Sequence, residues 1–217
     1  MDGNRRWAKS QGRTSAVGHV AGYEKMKEVA EWAKEARVRT LVIYAFSSEN
    51  WKRDTSEVAH LLSLIALLVK EFTEERAQGK HVGTQVRFVG DLSTFPLELA
   101  ESMRGLEKAT STETERTIGV AVSYGGRAEI VGAARKMVEE GGDITEERFS
   151  DALWTSGMSD PDLIIRTGGE KRLSNFLPWQ VVYSELFFID TEWPAFSKEE
   201  FEAILVAFAA RKRNFGA

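Results

Sequence analysis

Hydrophobic and polar positions along the chain follow two periods, and the period predicts the element. Residues 20–37 carry an apolar helical stripe, whereas 40–46 is a β-branched and aromatic run typical of a buried parallel strand. The same patterns predict helices at 56–78, 96–109, 127–140, 146–154 and 198–213, and strands at 85–89, 117–123, 162–166 and 185–190. This alternation indicates an α/β fold: a single domain over 1–217, with a central, mostly parallel sheet of about five to six strands flanked by helices.

Composition narrows the class of protein without naming a function. The chain has 217 residues, 42% of them hydrophobic and 29% charged, which is ordinary for a globular protein. Its net charge of −4 argues against a general nucleic-acid binder, so no nucleic-acid partner is expected. The lack of cysteine excludes disulfides and thiolate chemistry and fits a cytoplasmic protein. No apolar run is long enough to predict a membrane span, and no signal peptide is visible.

The first residues of the chain combine several groups suited to phosphate chemistry. The carboxylate of Asp2 can hold a hard divalent cation, and Gly3 lets a backbone N–H approach an anion. Asn4 is a favoured helix N-cap, so the run Arg5-Arg6-Trp7 after it is expected to begin a helix whose N-terminus faces the same anion. A solvated chain terminus explains the same residues equally well at this stage.

Two loops that follow predicted strands are rich in polar groups, and ligands gather at the carboxyl ends of strands in α/β sheets. The loop 47–53 holds hydroxyls, an amide, a carboxylate and two cations, although a solvated turn would look similar. The loop after 162–166 contains Arg166 and Arg172, six residues apart, with Gly168 and Gly169 between them and Ser174 beyond. Arginine forks grip phosphate oxygens in pairs, and a structural ion-pair loop would not need the glycine pair. We therefore favour an anion site here.

Several familiar phosphate-binding and catalytic motifs are missing from the sequence. There is no G-x-x-x-x-G-K-[ST] loop, no G-x-G-x-x-G after a strand and no G-x-S-x-G elbow. Two aspartates never stand adjacent, so the Asp-rich metal-binding pair of trans-type prenyl synthases is absent too.

The remaining motifs resemble, in order and spacing, the sequence blocks of one enzyme family. These blocks are Met1 to Ala8, Gly18-His19, Tyr44 to Arg53, Ser123 to Arg127, Asp160 to Phe176, Trp179-Gln180, Tyr183 to Leu186, Trp193-Pro194 and the final run 211–216. Together they resemble the cis-prenyltransferases over nearly the whole chain, and the undecaprenyl diphosphate synthases are the most similar type.

The resemblance implies a reaction, a cofactor and a set of partners. Such enzymes add isopentenyl diphosphate repeatedly to an allylic diphosphate, farnesyl or geranyl diphosphate, with Mg²⁺ as cofactor, and each new double bond is cis. We expect a homodimer that contacts the membrane peripherally when it releases its product, most simply the undecaprenyl diphosphate of the cell-wall lipid carrier. Short-chain products, or a non-catalytic partner subunit of the same fold, are the alternatives. Such subunits lack the Asp and the arginine loop, which this chain retains.

The resemblance also implies roles for individual residues. Asp2 is expected to be the magnesium ligand and central catalytic carboxylate, with Glu185 near the metal and contributed across a dimer interface. Asn50 and Arg53 are the candidates for assisting proton loss after carbon–carbon bond formation. The allylic diphosphate is assigned to Gly3, Asn4, Arg6 and His19, and Arg5, Trp7 and Arg13 are further expected substrate-binding residues. The diphosphate of isopentenyl diphosphate is assigned to Arg166, Arg172 and Ser174. A mobile closing loop is assigned to Ser47, Asn50, Trp51, Arg53 and Glu57. His19, beside Gly18, could equally be a structural group.

The helix predicted from Glu57 to about 78 is apolar on most faces, which ordinarily marks a helix buried in the core. In this family it more plausibly forms one wall of a hydrophobic product tunnel. A long isoprenoid gains roughly 0.8 kcal/mol per buried CH₂, so release of the product to water is costly.

Two departures from the family pattern bear on the site. Family members usually carry about twenty residues, including a first strand, before the block that begins this chain. Without that strand we expect Asp2 to lie on a frayed end. Ser15 stands where the family commonly has an arginine, and Arg13 is the candidate to compensate.

Overall fold

Residues 1–211 are described by a computed structural model of the chain. The helices in this range are α1 (Asn4–Ser10), α2 (Ser15–Glu35), α3 (Thr55–Ala77), α4 (Leu97–Thr110), α5 (Gly126–Glu140), α6 (Glu146–Ala152) and α7 (Lys198–Ala209). The strands are β1 (Thr40–Ser47), β2 (Thr84–Val89), β3 (Arg116–Tyr124), β4 (Leu163–Arg166) and β5 (Glu185–Phe188). Short 3₁₀ turns occupy Ser48–Lys52, Leu92–Thr94 and Trp193–Ala195. Each predicted element is present, and most ends lie within two residues of the prediction.

Two predicted helices differ more. Helix α2 begins at Ser15 rather than at residue 20, because its first turns present glycines, not apolar side chains, to α1. Helix α7 ends at Ala209, and residues 212–213 of the predicted helix, like 212–216 of the last motif block, lie outside the described residues.

The chain forms two compact units. The terminal unit comprises Met1–Arg37 together with the chain from Asp160 onwards, and the middle unit comprises Val38–Ser159.

In the middle unit, the three longer strands form one parallel sheet in the order β1-β3-β2. The last six residues of the central strand β3 are all buried, as expected for a parallel strand covered on both faces. Helices α3 and α4 bury their apolar faces against this sheet around Phe46, Phe88 and Met103. The carboxyl end of β1 leads into the polar loop 47–53 singled out from the sequence.

In the terminal unit, the short strands β4 and β5 pair in parallel with each other. An aromatic cluster joins Trp32 of α2 to Trp193, Phe196 and Phe201, with ring centroids 5.9–6.4 Å apart. This cluster ties the beginning of the chain to its last described helix.

The predicted sheet of five to six strands is wrong in one respect. Within residues 1–211 the five strands form a three-stranded and a two-stranded sheet rather than one sheet. The hydrophobic pattern counts strands, but it does not choose their hydrogen-bonding partners, and four-residue strands carry little pairing information. The α/β class with parallel strands is confirmed.

Helix α3, the apolar helix of the sequence, packs mainly through one stripe. Ile65, Val69 and Phe72, spaced four and three residues apart, are buried in the core, whereas Leu67 is 37% exposed. The core role of this helix is thus visible, and its role as a tunnel wall stays a prediction. None of the helices within residues 1–211 has the length and apolarity needed to cross a membrane.

Candidate active site

The backbone of Asp2 is held on both sides by the C-terminal part of the terminal unit. Its N–H donates to Thr167 Oγ1 at 3.0 Å, and its carbonyl accepts from the same hydroxyl at 2.9 Å and from the Trp193 N–H at 2.9 Å. The expectation that Asp2 lies on a frayed end is therefore wrong, because these three hydrogen bonds fix the backbone of Asp2 in place.

The carboxylate of Asp2 sits among cationic and N–H donors. Its Oδ1 accepts from the Gly3 N–H at 2.7 Å and from Arg6 Nη2 at 3.4 Å, and its Oδ2 accepts from Arg166 Nη2 at 3.0 Å. Burial by itself raises the pKa of this carboxyl, but the hydrogen bond and charge of Arg166, helped by Gly3 and Arg6, bring the pKa below its ordinary value of 3.8. Asp2 is therefore an anion at neutral pH.

The first turn of α1 departs from the prediction that Asn4 is the N-cap. Gly3 takes that position with a φ of 105°, in the left-handed region that favours glycine, and Asn4 is the first helical residue. A Cβ on Gly3 would lie 2.8 Å from the Cβ of Glu192, so the close approach also requires glycine.

The side chain of Asn4 turns toward a notch on α2 instead of capping. A Cβ at Gly22 would lie 2.4 Å from Asn4 Oδ1, and one at Gly18 would lie 2.1 Å from the Asn4 carbonyl oxygen. Within the described part of the chain, Asn4 Oδ1 is buried without a hydrogen-bond partner. The packing of the two helices thus outweighs the capping preference of asparagine.

The loop after β4 gathers the two predicted arginines around one hydroxyl. Arg166 Nη1 donates to Ser174 Oγ at 2.8 Å, and Arg172 Nε donates to the same oxygen at 3.2 Å. Arg166 also donates to the Arg172 carbonyl, and Arg172 forms an ion pair with Glu170. Because Ser174 Oγ accepts from both arginines, its own hydrogen points away from them, and the three groups form one donor cluster.

The backbone of this loop is unusually rich in left-handed residues. Gly168 and Gly169 have φ of 85° and 80°, which confirms the tight curvature predicted from the glycine pair. Ser174, Asn175 and Leu177 also have φ between 48° and 67°, a conformation that side-chain-bearing residues adopt at a cost of order 1–3 kcal/mol. A Cβ on Gly168 would lie 2.7 Å from Arg6 Nη2 and 3.1 Å from the Asp2 backbone, so this loop passes directly against the Asp2 segment.

The structure therefore brings together five of the predicted site residues: Asp2, Arg6, Arg166, Arg172 and Ser174. The bond from Arg166 to Asp2 joins residues that are 164 positions apart in the chain. The two half-sites proposed separately from the sequence adjoin at this ion pair.

Other predicted residues of the terminal unit differ in their exposure and their bonding. Arg5 and Arg13 are exposed, Trp7 is half-buried in α1, and His19 is only 6% exposed within α2. Glu185 begins β5 and forms an ion pair with Arg211, whose guanidinium also lies 4.5 Å from the centroid of the Phe187 ring.

The predicted closing loop of the middle unit is held by bonds of its own. The Ser47 N–H donates to Asn50 Oδ1 at 2.9 Å in a capping box, and Arg53 Nη1 pairs with Glu57 Oε1 at 2.8 Å. Trp51 packs edge-on against Phe46 and donates its indole N–H to Ser123 Oγ at 2.9 Å. Four of the five predicted residues thus lie in or beside the 3₁₀ turn after β1, and the fifth, Glu57, lies in the first turn of α3.

Sequence reasoning missed Thr167 and did not settle the role of Trp193. Thr167 is 1% exposed, and the Trp193 indole N–H donates to the Gly22 carbonyl of α2 at 2.8 Å while its backbone holds Asp2. The available signal was position: Thr167 directly follows the arginine at the carboxyl end of β4. A side chain at position 167 lies at the carboxyl end of β4, as Arg166 does, where ligands gather in such sheets.

The residues around Asp2 suit a magnesium ion bound together with phosphate. Mg²⁺ is commonly held by one or two carboxylates plus substrate phosphates, and the Asp2 side chain retains 38% of its exposure. Within residues 1–211 there is no cluster of three or more His, Cys, Asp or Glu side chains that could hold a metal ion.

Comparison with known proteins identifies relatives over the full length of the chain. The family model described as undecaprenyl diphosphate synthase matches residues 1–216. A farnesyl-diphosphate-specific ditrans,polycis-undecaprenyl-diphosphate synthase from Salmonella paratyphi A is 40% identical, over 100% of this chain and 87% of its own length. A geranylgeranyl-diphosphate-specific tritrans,polycis-undecaprenyl-diphosphate synthase from Thermococcus kodakarensis is also 40% identical, over 100% and 84%.

Among solved structures, lavandulyl diphosphate synthase from Lavandula x intermedia, in complex with dimethylallyl diphosphate, matches with a TM-score of 0.92. The two sequences are 33% identical, and the match covers 100% of this chain and 95% of that one. These relatives differ in primer and product although they share the fold.

Proposed function

The chain belongs to the undecaprenyl diphosphate synthase family of cis-prenyltransferases, and from this premise we propose that it elongates an allylic diphosphate with isopentenyl diphosphate to undecaprenyl diphosphate. The observation that carries the proposal is the ion pair of Asp2 with Arg166, 3.0 Å long. The ion pair brings a carboxylate that can bind a metal ion next to a cationic loop that can bind a diphosphate. A reaction that separates a diphosphate from an allylic carbon needs both within reach of one another.

The arginine loop is the proposed seat of the isopentenyl diphosphate. Arg166, Arg172 and the Ser174 hydroxyl present several N–H and O–H donors on a strained, preformed turn. Charge-assisted bonds from guanidinium to phosphate are worth roughly 1.5–3 kcal/mol each, so two arginines on one loop suit a doubly charged group such as a diphosphate.

The Asp2 segment is the proposed seat of the allylic diphosphate. Arg6 lies beside Asp2, and α1 begins immediately after Gly3, so cationic charge and backbone N–H groups face the same side. A bound Mg²⁺ would supply neutralisation of the charge that develops on the leaving diphosphate. Asp2 is the residue that would hold the ion, and Arg6 and Arg166 keep that carboxylate ionised and oriented.

We propose that the segment 47–57 is the mobile closing loop of this family. The bonds inside it, Ser47 to Asn50 and Arg53 to Glu57, would let these polar groups move together. We assign Asn50 and Arg53 to assisting removal of the proton that leaves as each new double bond forms.

The finer features of assembly and location are part of the same proposal. Val182 and Tyr183 are 69% and 71% exposed and lie just before Glu185, and an apolar surface of this kind suits a contact with a second copy of the chain. We propose a cytoplasmic homodimer that meets the membrane surface when it releases its lipid product.

A product-sizing assay tests the proposal. The protein is incubated with isopentenyl diphosphate, Mg²⁺ and, in separate reactions, geranyl, farnesyl or geranylgeranyl diphosphate, with EDTA as the metal-free control. We expect long-chain products from at least one primer and none with EDTA. Products that stop at fifteen carbons would replace undecaprenyl diphosphate with a short-chain product, and no elongation from any primer would overturn the enzymatic proposal.

A further inference from the structure

The hydroxyl of Thr167 makes two hydrogen bonds to the same residue. It accepts from the Asp2 N–H at 3.0 Å and donates to the Asp2 carbonyl at 2.9 Å. A hydroxyl has one hydrogen and two lone pairs, so it can make both bonds at once. The side chain is 1% exposed, which protects both bonds from competition with water.

The backbone on either side of Thr167 is itself fixed. The Arg166 carbonyl accepts from the Ile189 N–H at 2.9 Å, and the Gly168 N–H donates to the Thr191 carbonyl at 2.8 Å. Thr167 therefore projects its hydroxyl from a segment that is bonded on both flanks. Its position does not depend on Asp2.

Two consecutive residues thus hold the two ends of Asp2. Arg166 binds the carboxylate through Oδ2, while Thr167 binds the peptide groups on both sides of the same Cα. Without the threonine, the Asp2 carbonyl would keep its bond from the Trp193 N–H, but the Asp2 N–H would lose its acceptor. The threonine bonds thus fix the peptide group before Asp2 and add a second bond to the peptide group after it.

We propose that Thr167 is a positioning residue, which orients the Asp2 carboxylate for the reaction by holding the backbone of Asp2. This inference rests on the proposed function, because it assigns Thr167 a part in that reaction. It predicts an effect on turnover, since a carboxylate displaced by about 1 Å can cost roughly 10²-fold in rate.

The competing explanation is a buried threonine whose bonds serve only stability, and the chain offers a matched control for it. Thr110, at the end of α4 in the middle unit, is 0% exposed and also accepts one backbone bond and donates another: the Val86 N–H donates to it at 3.0 Å, and it donates to the Leu106 carbonyl at 3.0 Å. Thr110→Val removes a buried hydroxyl with the same two kinds of hydrogen bond, but at a position that makes no bond to Asp2.

The kinetic test compares Thr167→Val, Thr167→Ser and Thr110→Val with the unmodified protein, at equal folded fraction. We expect Thr167→Val to lower kcat by roughly 10–100-fold. The KM for isopentenyl diphosphate should change less than about threefold, because Arg166, Arg172 and Ser174 keep their bonds. Thr167→Ser should restore most of kcat, and Thr110→Val should leave kcat unchanged. Equal effects of the two valine variants on kcat would overturn the proposal.

A second measurement does not depend on activity. The {¹H}–¹⁵N heteronuclear NOE of the Gly3 amide reports fast motion of the Asp2 segment, and we expect it to fall in Thr167→Val only, although the Trp193 bond to the Asp2 carbonyl remains. An unchanged NOE in that variant would overturn the proposal even if kcat fell. If the unmodified protein shows no elongation activity, the proposed function fails, and the NOE still shows whether Thr167 holds Asp2.

Discussion

The Asp2 cluster and the loop 47–57 are built from similar residue types, but their hydrogen bonds differ in the sequence separation of the residues they join. Asp2 is bound by Thr167 and Arg166, 165 and 164 positions away in the chain. In the loop, Ser47 and Asn50 are three positions apart, and Arg53 and Glu57 are four apart. The backbone and carboxylate of Asp2 are bonded across the length of the sequence, whereas these two polar pairs of the loop join near neighbours and the Trp51 bond to Ser123 ties the loop to β3.

The difference in reach predicts a difference in behaviour. Long-range bonds to a fixed strand end hold a charged site rigidly before any ligand arrives, which is the arrangement that favours electrostatic catalysis. Local bonds travel with a segment, so the loop can shift without losing them, as closure over a substrate requires. Substitutions that remove one bond from each region test this contrast.

The largest effect is expected from Asp2→Ala. Loss of the carboxylate leaves Arg166 and Arg6 without their shared anion and removes the proposed metal ligand, so turnover should fall about 10³-fold. The fold should survive, because the bonds to Thr167 and Trp193 use only the backbone of residue 2. Product formation and thermal unfolding measure the two effects. Glu35→Ala, which removes a surface ion pair with Lys198 in the same unit, is the control. Unchanged turnover would remove Asp2 from the mechanism.

Asn50 separates a catalytic role from a structural one within the loop. In Asn50→Asp an oxygen remains to accept the Ser47 N–H, whereas in Asn50→Ala it is lost. If the amide assists proton removal, both variants should lower kcat by about 10²-fold, and single-turnover rates would measure the loss. Full activity in the aspartate variant would show that Asn50 only accepts the Ser47 N–H and has no catalytic role.

Arg166→Lys tests whether the fork of the guanidinium matters as well as its charge. Arg166 donates to the Asp2 carboxylate, the Ser174 hydroxyl and the Arg172 carbonyl, and a single ammonium cannot reproduce that geometry. The KM for isopentenyl diphosphate should rise about tenfold.

Arg76→Lys is the matched control for this substitution. Arg76 bonds to Glu113 and to the Ala109 carbonyl in the middle unit, so its replacement should leave that KM as it was. A normal KM in Arg166→Lys would mean that charge alone binds the diphosphate.

Trp51→Phe tests the long-range bond from the loop to Ser123. The indole N–H bond to Ser123 is lost, while the contacts with Phe46 and Phe95 keep an aromatic ring, and Ser123 Oγ still accepts from Thr94. The free energy of unfolding in urea should fall by about 1 kcal/mol. No measurable loss would show that this bond contributes nothing to holding the loop.

The smallest effect concerns pH. The pKa of Asp2 is lowered in the folded protein, so the stabilisation from its ionised form is present above the ordinary value of 3.8 and is lost as pH falls through the lower folded value. The difference in unfolding free energy between the unmodified protein and Asp2→Asn should therefore shrink as pH falls below 3.8. A difference that does not shrink in acid would contradict this assignment.

The same contrast in reach explains what the sequence could and could not predict. The pair Gly168-Gly169 predicted a tight turn, and the predicted strand ending at Arg166 indicated that the turn lies at the end of a strand. Both predictions succeeded because they depend on residues that are close in sequence. Thr167 and Trp193 carried no such signal for their bonds to Asp2, since those bonds depend on how distant segments pack. Asn4 was predicted as a cap from its intrinsic preference, and packing against Gly22 reversed it. The split into two sheets likewise depends on pairing rather than pattern.

The Trp193 N–H bond to the Asp2 carbonyl has a consequence for how the protein is made. Residue 2 is synthesised well before residue 193, so it acquires its full set of bonds only after the later residue has emerged from the ribosome. At 5–20 residues per second the interval between the two residues is roughly 10–40 s. Closing so long a loop is entropically costly, and the bonds around Asp2 should therefore form late in folding. The proposed site at Asp2 is then ordered only after both of its distant segments have been made.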